Sequence, residues 1–494
     1  MIVLMVVSFY TTRVTLQILG VDDYGTYNLI AGVIALLSFV YTVLESSIQR
    51  FLNFELGKNN LELLKTIFST SVLTMAALSV IVIIFAEIIG YFGIPCLNIP
   101  EQRFDTAMIV FHVSLIQFCI GLVRAPYNAT IIAHERMDFY AYLSIFEALI
   151  KLGAVYLLYI LPGDKLLLYA TTQAAVVFLV LIAYISYCRF AFEETALSIP
   201  QDTKILKQIL SFSGWSLFGS VASVAVNQGI GILLNLFGSV AVVAAVGICN
   251  QVNGAINLFV TNFQVAFKPQ VVKLYAQEKF ADLNLLINRA SKFSFFLIAI
   301  ISIPLMFCLD EALRIWLGSY PEHTNTFCCL RFVLLIISTI QAPLWMYVQA
   351  TGKIKKYQLT ISLINIMNLP MAYIGLQSGL PYEIVYIAEI LVYLLMYMYR
   401  IYYVRINYSF PVTEYLRKVL CPIGLIILTS IVPSLLCYTY MNGTAKVIIP
   451  TTLSITLTLL SVVIFGLDNS EKHLLVSTTK SKLRKIHTMH YSVL

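Results

Sequence analysis

The feature that most constrains this chain is a series of fourteen apolar runs, each roughly 20 to 30 residues long. A helix rises 1.5 Å per residue, so about 20 apolar residues cross the ~30 Å hydrocarbon core of a bilayer. Only short polar segments separate the runs, and none is long enough for a folded soluble domain. The runs cover residues 1–19, 24–48, 66–92, 104–133, 139–161, 165–188, 207–236, 240–267, 290–309, 324–351, 357–376, 382–403, 415–440 and 446–466.

The amino-acid composition leads to the same class of protein. Hydrophobic residues make up 59% of the chain and charged residues only 12%, whereas soluble globular proteins carry about 25% charged residues. A chain with so little charge cannot cover a soluble core with polar surface. We therefore predict an all-α polytopic membrane protein with about 14 transmembrane helices.

Basic residues alternate between the loops as they do in multi-pass membrane proteins. With the N-terminus placed in the cytoplasm, the inner loops, the tail and the adjoining span ends hold 24 of the 32 Lys and Arg residues, and the outer loops with their span ends hold 4. This asymmetry follows the positive-inside rule, so both termini are predicted to be cytoplasmic. It also accounts for the net charge of +7 without a nucleic-acid partner. The basic tail segment Lys472–Lys485 is expected to contact anionic membrane lipid.

An internal repeat divides the chain. Five residues recur about 220 positions later with the same internal spacing, because Gly25, Asn28, Gly32, Ile34 and Leu36 correspond to Gly247, Asn250, Gly254, Ile256 and Leu258. Six spans separate the two copies, so both halves enter the membrane in the same orientation. The sequence therefore predicts two parallel six-helix lobes, an arrangement found in transporters whose site lies between the halves.

The repeat and the spans together set the expected domain boundaries. They are an N-lobe at 1–189, a cytoplasmic linker at 190–206, a C-lobe at 207–405, two appended spans at 406–466 and a basic tail at 467–494. Aligning Gly20 with Gly238 leaves the first copy about fifteen residues short of the run-in that precedes the second. We therefore expect the natural chain to begin upstream of Met1.

Cysteine and histidine spacing gives no sign of a metal site. The nine cysteines and six histidines form neither a C-x-x-C nor an H-E-x-x-H pattern. Most cysteines fall inside apolar runs and are interpreted as small buried side chains. The sequence predicts no cofactor.

Ionisable residues inside the first six spans are the best candidates for function, because each costs roughly 2.5–3.5 kcal/mol at the middle of a membrane helix. They are Arg13, Arg124, Lys151 and Glu147. Glu147 and Lys151 stand at i and i+4, where they can pair with each other. The excess of positive charge favours an anionic ligand such as a diphosphate, for which Arg offers a two-pronged donor.

The arginines of this set have alternative explanations. Neither Arg13 nor Arg124 has an acidic partner at helical spacing, so Glu87 or backbone carbonyls are the alternatives to a ligand. Glu45 and Arg50, at the inner end of the second span, are interpreted as interfacial anchors. Pro126 is expected to loosen the helix that carries Arg124.

The second half of the chain offers two further ionisable residues, Arg331 and Glu389. They lie at similar depth in the tenth and twelfth spans and are interpreted either as an interhelical ion pair or as residues that reach outward to the membrane surface. Glu147 and Glu389 are also the carboxylates best placed for coupling to Na⁺ or H⁺, should the protein be a cation-driven transporter.

Three stretches carry a resemblance to a known family. They are TRVTLQILGVDDYGTYNLIAGVIALLSF, SSIQRFLNFELGKNN and RAPYNATIIAHERMDFYAYLSIFEALIKLGAVYLLY. Together they resemble the bacterial oligosaccharide flippases of the Wzx type, in the multidrug/oligosaccharidyl-lipid/polysaccharide exporter superfamily. The likeness covers nearly the whole chain.

The resemblance implies a V-shaped pair of bundles around a central cavity, in the bacterial cytoplasmic membrane. It implies a polyprenyl-diphosphate-linked oligosaccharide as cargo, used for surface polysaccharide such as O-antigen or capsule, with other polysaccharide assembly proteins as partners. In the related lipid II flippases, cationic side chains of the first lobe contact the diphosphate. Arg13 lies in the corresponding first helix, although its spacing to the glycine turn differs from theirs.

We therefore expect a flippase that works by alternating access and breaks no covalent bond, with Arg13, Arg124 and Lys151 binding the diphosphate. One alternative is a multidrug exporter of the same superfamily driven by Na⁺ or H⁺. Another is a membrane enzyme such as a glycan polymerase, which usually needs a larger loop or catalytic acids at an interface.

Overall fold

The computed structural model of this chain describes residues 2–35, 38–94, 103–198, 203–238, 240–441, 445–468 and 471–472. Within these residues all regular secondary structure is helical, so the predicted all-α class is confirmed. The basic tail beyond residue 472 lies outside the described residues. For the repeat residues Gly25, Asn28 and Gly32, the backbone is described but the surroundings are not.

Sixteen α-helices can be followed in the described part of the chain. They are α1 (Ile2–Ala35), α2 (Ser38–Lys58), α3 (Leu61–Gly93), α4 (Phe104–Ala133), α5 (Met137–Ile160), α6 (Lys165–Ala191), α7 (Thr203–Phe237), α8 (Val240–Ala276), α9 (Phe280–Leu317), α10 (Thr324–Thr351), α11 (Lys355–Ile366), α12 (Asn368–Gln377), α13 (Ile384–Tyr408), α14 (Val412–Tyr415), α15 (Cys421–Tyr440) and α16 (Ala445–Ser461). A 3₁₀ turn covers Glu193–Thr195, and π-helical turns cover Leu416–Leu420 and Val462–Gly466.

Twelve helical stretches from Leu61 to Gly466 are long and apolar enough to cross a membrane. They match the last twelve predicted spans. The first two predicted spans, 1–19 and 24–48, are helical on either side of Gly20, apart from residues 36–37, which lie outside the described residues. The prediction of a multi-pass membrane protein is therefore confirmed.

The break inside α1 depends on Gly20. Its backbone has φ +76° and ψ 176°, a combination that is essentially limited to glycine because any Cβ would clash there. The chain therefore leaves the first helical segment and starts the next within a single residue.

Helices α8 and α9 are longer than the predicted spans, which are 240–267 and 290–309. Both continue past the apolar run as amphipathic helix and are joined by residues 277–279. Lys268 and Lys273, which fall in the predicted inner loop between these spans, therefore lie within α8. Hydropathy detects the apolar run and not the helix that extends beyond it.

The eleventh predicted span is divided into α11 and α12 at Met367. Pro370 lies three residues later and has no N–H to donate to the carbonyl of Ile366, and its ring crowds that carbonyl. The peptide N–H of Met367 is shared between the carbonyls of Leu363 and Ile364, at 3.3 and 3.2 Å. The proline explains why the helix is interrupted at this point.

The chain forms two compact units. Unit 1 consists of residues 1–222, 265–280 and 348–362, and unit 2 consists of residues 223–264, 281–347 and 363–494. Unit 1 therefore contains the predicted N-lobe together with short segments of later sequence. The predicted lobe boundary at 190–206 stays a prediction.

In unit 1, α4 is the central helix and packs against α1, α2, α3, α5 and α6. Four small residues along it, Ala107, Ala125, Ala129 and Ala133, are at most 2% exposed. Small side chains let neighbouring helix backbones approach closely, which favours packing between membrane helices. The arrangement places the polar side chains of α4 next to those of α5.

Arg103, the residue before α4, joins three helices of unit 1. Its two terminal nitrogens contact the carboxylates of Asp23 on α1 and Asp164 at the start of α6, each at 2.7 Å. Asp164 also caps α6, because its carboxylate accepts hydrogen bonds from the peptide N–H groups of Leu166 and Leu167 at 2.9 and 3.5 Å. The Asp164 carboxylate therefore caps the start of α6 and also binds the residue that precedes α4.

In unit 2, the buried Lys292 of α9 is bound by residues at and just after the end of the last membrane helix. Its ammonium group lies 2.9 Å from the Glu471 carboxylate and 3.3 Å from that of Asp468. It also donates to the backbone carbonyl of Gly466 at 3.3 Å. Only 2% of the Lys292 side chain is exposed, so its charge depends on these acceptors.

The appended helices α15 and α16 pack along a row of small hydroxyl residues. Ser430 and Ser434 on α15 and Ser454 and Thr458 on α16 are fully buried. The hydroxyl groups of Thr429 and Ser461 also share a hydrogen bond of 2.8 Å across the pair. Small polar side chains of this kind join helices where the surroundings are apolar.

We predict that Asp164→Ala destabilises the protein by about 1 kcal/mol or more, because the cap of α6 and one arm of the Arg103 bridge are lost together. The measurement is the apparent melting temperature of the purified protein in detergent. Asp105→Ala is the matched control, since Asp105 is exposed in the first turn of α4. Equal melting temperatures for the two variants would contradict this assignment.

Candidate functional site

Three ionisable side chains meet between α4 and α5 in unit 1. The Glu147 carboxylate accepts a hydrogen bond from the Lys151 ammonium group at 2.7 Å and lies 3.4 Å from a terminal nitrogen of Arg124. The predicted pairing of Glu147 with Lys151 is confirmed, and Arg124 joins it from the neighbouring helix. The cluster carries a net charge of +1 when all three groups are ionised.

None of these side chains is fully buried. The exposed fractions are 25% for Arg124, 21% for Glu147 and 37% for Lys151. The Arg124–Glu147 distance is longer than the usual 2.7–2.9 Å of a strong charged hydrogen bond. Within the described part of the chain, Glu147 is the only ion-pair partner of Arg124 and contacts one of its terminal nitrogens.

Two cavities open onto this cluster. One, of about 360 Å³, is lined by hydroxyl and amide side chains as well as by Glu147 and Lys151, and these include Thr11, Thr12, Thr15, Ser144, Tyr169 and Gln173. The other, of about 310 Å³, is lined by Arg124, Glu147 and Lys151 together with Tyr41, Ser114 and Gln117. Glu147 and Lys151 line both cavities, so the cluster lies at their junction.

Arg13 does not join this group. Thr11 and Thr15 are one helical turn apart and line the larger cavity, whereas Arg13 lies about 200° around the helix from Thr11 and is exposed. Among the residues that the structure describes, Arg13 has no ion-pair partner.

Glu87, the alternative partner considered for Arg13 and Arg124, contacts the His112 imidazole at 2.9 Å instead. Neither arginine is paired with it among the described residues. The partner of Arg124 is Glu147, on the next helix of the chain.

A polar network continues from the cluster along α4. The Arg124 guanidinium lies 5.6 Å from the ring centre of Tyr184, and the Tyr184 hydroxyl donates to the Asn128 side-chain carbonyl at 3.2 Å. Asn128 in turn donates its amide to the Glu45 carboxylate at 2.6 Å. Polar side chains therefore line up over more than one turn of α4.

The interpretation of Glu45 and Arg50 as interfacial anchors is wrong. Glu45 is hydrogen-bonded to α4, and Arg50 is 8% exposed. Next to Glu45, the Ser46 hydroxyl accepts a hydrogen bond from Lys268 of α8 at 2.5 Å. Their position near the end of an apolar run suggests an interface, but contacts with distant segments of sequence bury Arg50 and bind Glu45 to α4.

Pro126 does not interrupt α4, which is continuous from Phe104 to Ala133. The proline is buried, and its carbonyl accepts a hydrogen bond from the Thr130 hydroxyl at 2.9 Å. The helix therefore presents Arg124 and Asn128 from one continuous element.

In unit 2, Arg331 of α10 and Glu389 of α13 form the predicted interhelical ion pair at 3.0 Å. The side chains are 12% and 2% exposed, respectively. The Tyr386 ring covers the guanidinium, with its centre 5.0 Å from Cζ of Arg331. Because the charges are buried and neutralise each other, this pair is better suited to holding two helices together than to binding an anion.

Just after the end of α4, another ion pair within unit 1 contacts the last turns of α8. Glu135 accepts hydrogen bonds from Lys273 at 2.8 Å and from Gln270 at 3.3 Å. Partial burial acts to raise the pKa of the Glu135 carboxyl, but these hydrogen bonds and the Lys273 charge outweigh it and leave the pKa below its ordinary value. Glu135 is therefore ionised at neutral pH.

This pair makes stability depend on pH. Because the pKa of Glu135 is lower in the folded protein, its contribution is complete above about pH 4.3 and is lost as the pH falls through the folded pKa. We predict that Glu135→Gln lowers the melting temperature at pH 7 and that the difference from the wild type shrinks toward pH 3. A difference that stays constant over this range would contradict the prediction.

We predict that Glu147→Gln destabilises the protein by about 1–3 kcal/mol, because Arg124 and Lys151 lose the negative charge between them. Lys151→Met removes one of the cations, so the double variant should be more stable than the sum of the two single losses indicates. The measurement is a double-mutant cycle of apparent melting temperatures in detergent. Strict additivity would show that the two side chains do not interact.

The fold is similar to that of several solved transporters. An outward-facing multidrug resistance MATE family transporter of the MOP superfamily has a TM-score of 0.71 and 14% identity, over 83% of this chain and 94% of its own. A MOP superfamily transporter from Pyrococcus furiosus has a TM-score of 0.66 and 14% identity, over 82% and 93%. A mutant of the Vibrio cholerae MATE transporter VcmN has a TM-score of 0.65 and 14% identity, over 83% and 94%.

Sequence comparison gives the family. No curated protein matches the chain. The family model for polysaccharide biosynthesis proteins matches residues 1–274, which is more than half of the 494 residues. The matched region contains the whole of the charged cluster between α4 and α5. This chain belongs to the polysaccharide biosynthesis protein family.

Proposed function

We propose that this protein is a flippase that moves a polyprenyl-diphosphate-linked oligosaccharide from the inner to the outer leaflet of the bacterial cytoplasmic membrane. The observation that carries the proposal is the cationic cluster of Arg124 and Lys151, which opens onto two polar cavities between membrane-spanning helices. Transport by alternating access requires no covalent chemistry, so the protein would not be an enzyme.

The cluster has the chemistry that a diphosphate requires. Arg124 offers a planar set of N–H donors and is only loosely engaged by Glu147. Lys151 adds a second positive charge, held within reach by the same carboxylate. Glu147 would thus orient both cations, while the net positive charge favours an anion over a cation.

The larger cavity supports a sugar-bearing cargo. Its threonine, serine, tyrosine and glutamine side chains can donate and accept hydrogen bonds from hydroxyl groups. A sugar hydroxyl that leaves water needs such partners to offset its desolvation. The lipid tail would need no site of its own, because it can stay in the hydrocarbon of the bilayer.

In a host that lacks its own flippase, we predict that Arg124→Gln together with Lys151→Gln reduces surface glycan by about tenfold or more, since two charged contacts to the diphosphate are lost. The measurement is surface glycan per cell at equal amounts of membrane-inserted protein. Absence of even single repeat units from the surface distinguishes a flippase defect from a polymerase defect, which leaves single units displayed.

The matched control for this experiment is Lys279→Gln together with Lys356→Gln. It removes the same number of positive charges from exposed positions outside both cavities. Arg13→Gln is tested separately, because Arg13 is a predicted diphosphate contact that lies apart from the cluster. Normal glycan display in the Arg124 and Lys151 double variant would reject the proposed site.

A cation-coupled multidrug exporter is the second candidate, because the Glu147 carboxylate lines both cavities. Two of the solved neighbours are described as MATE transporters. For the Pyrococcus furiosus neighbour, a reversed polarity of the binding pocket is stated to suggest a different function. An exporter would confer drug resistance that Glu147→Gln abolishes and would leave surface glycan unchanged, which is the opposite of the flippase result.

A further inference from the structure

A third cavity in unit 1, of about 650 Å³, shares no lining residue with the two around Glu147. It is formed by α2, the beginning of α7 and the turn between α10 and α11. These elements lie at the face that the positive-inside pattern predicts to be cytoplasmic. Its volume is in the range of small-molecule sites.

The lining of this cavity, which we call the basic pocket, is strongly one-sided in charge. Five of its lining residues are basic, namely Arg50, Lys204, Lys207, Lys353 and Lys355. None of the described residues that line it is acidic. Like charges that line one pocket repel one another, and a bound anion would relieve that repulsion.

Arg50 shows that this arrangement is more than a set of surface lysines. The residue is 8% exposed, and a terminal nitrogen donates to the carbonyl of Ala350 at 3.0 Å. Its Nε is buried without a hydrogen-bond partner among the described residues. A buried guanidinium with an unused donor is costly unless a ligand or water completes its hydrogen bonds.

The turn after α10 is shaped around this guanidinium. Gly352 has φ +75°, and a Cβ at that position would lie 2.4 Å from a terminal nitrogen of Arg50. Only glycine both adopts this backbone conformation readily and leaves room for the side chain. The turn brings Lys353 and Lys355 to the same pocket as Arg50.

The basic pocket also has an aromatic wall. Phe212 and Trp215 on α7 line it, and the ammonium group of Lys355 lies 5.1 Å from the centre of the Trp215 ring. Trp215 is partly exposed. Its fluorescence therefore provides a probe within the pocket itself.

We propose that the basic pocket binds a phosphate-bearing anion at the predicted cytoplasmic face. Arg50 and the lysines supply the charged donors that phosphate oxygens accept. Positive-inside topology accounts for exposed lysines at this face but not for a buried arginine fitted to a glycine turn. The anion is either a soluble phosphate compound or the headgroup of an acidic phospholipid, and the site does not depend on the transported cargo.

The test uses a full-length variant with Trp316→Phe and Trp345→Phe, so that Trp215 is the sole tryptophan. The protein is placed in phosphatidylcholine nanodiscs and titrated with inorganic pyrophosphate, and Trp215 fluorescence is recorded. A second preparation contains phosphatidylglycerol and receives no pyrophosphate. We expect a saturable change with pyrophosphate, or a shifted emission in phosphatidylglycerol nanodiscs when the source is a lipid headgroup.

The pocket variant carries Lys353→Gln and Lys355→Gln, and the matched control carries Lys279→Gln and Lys356→Gln, outside the pocket. Arg50 is left in place so that folding is not disturbed. We expect the pocket variant to weaken the response about tenfold or more and the control to leave it unchanged. A response absent from both preparations, or weakened equally by both variants, overturns the proposal.

Discussion

A positive charge inside a membrane protein requires a compensating negative charge or polar partner, and Glu147 provides it for two cations at once. Arg124 and Lys151 come from different helices, so the carboxylate between them also fixes how α5 packs on α4. On insertion scales each charge at mid-helix costs roughly 2.5–3.5 kcal/mol. The compensation is incomplete, because one carboxylate stands between two cations and the cluster keeps a net charge of +1 when all three groups are ionised.

In unit 2, a charge inside the protein is compensated in a different way. Arg331 and Glu389 form a one-to-one ion pair and are almost inaccessible, so their charges support the packing of α10 against α13. The cluster around Glu147 is looser, more exposed and unequal in charge. Ion pairs of similar composition thus differ in exposure and in charge balance between the two units.

Much of the fold could be predicted from the sequence, because apolar runs and basic loops reflect the bilayer directly. The Glu147–Lys151 pair was also predictable, since residues four apart share a helical face. Contacts between distant segments were not. Arg124 finds its partner 23 positions away, and Arg50 contacts a carbonyl 300 positions away. No local spacing rule connects such residues, and the position of Arg50 just past the end of an apolar run does not indicate that it is buried.

Arg13 illustrates a further limit. Its depth in the first span could be predicted, but not the direction in which it points relative to the cavities. Thr11, Thr12 and Thr15 of the same helix line the larger cavity, and a displacement of one or two positions along a helix moves a side chain to another side. Charge alone therefore identifies candidates, and rotation about the helix axis decides which of them reach a site.

The contact of Lys292 with Glu471 has a practical consequence for anyone who engineers this protein. Asp468 and Glu471, just after the last membrane helix, neutralise the charge of Lys292, which is buried in α9. A chain shortened to end at the last membrane helix would leave that ammonium group without its carboxylates, in surroundings that do not tolerate an isolated ion. Affinity tags and fluorescent fusions therefore belong beyond residue 472, and cleavage sites should not be placed before it.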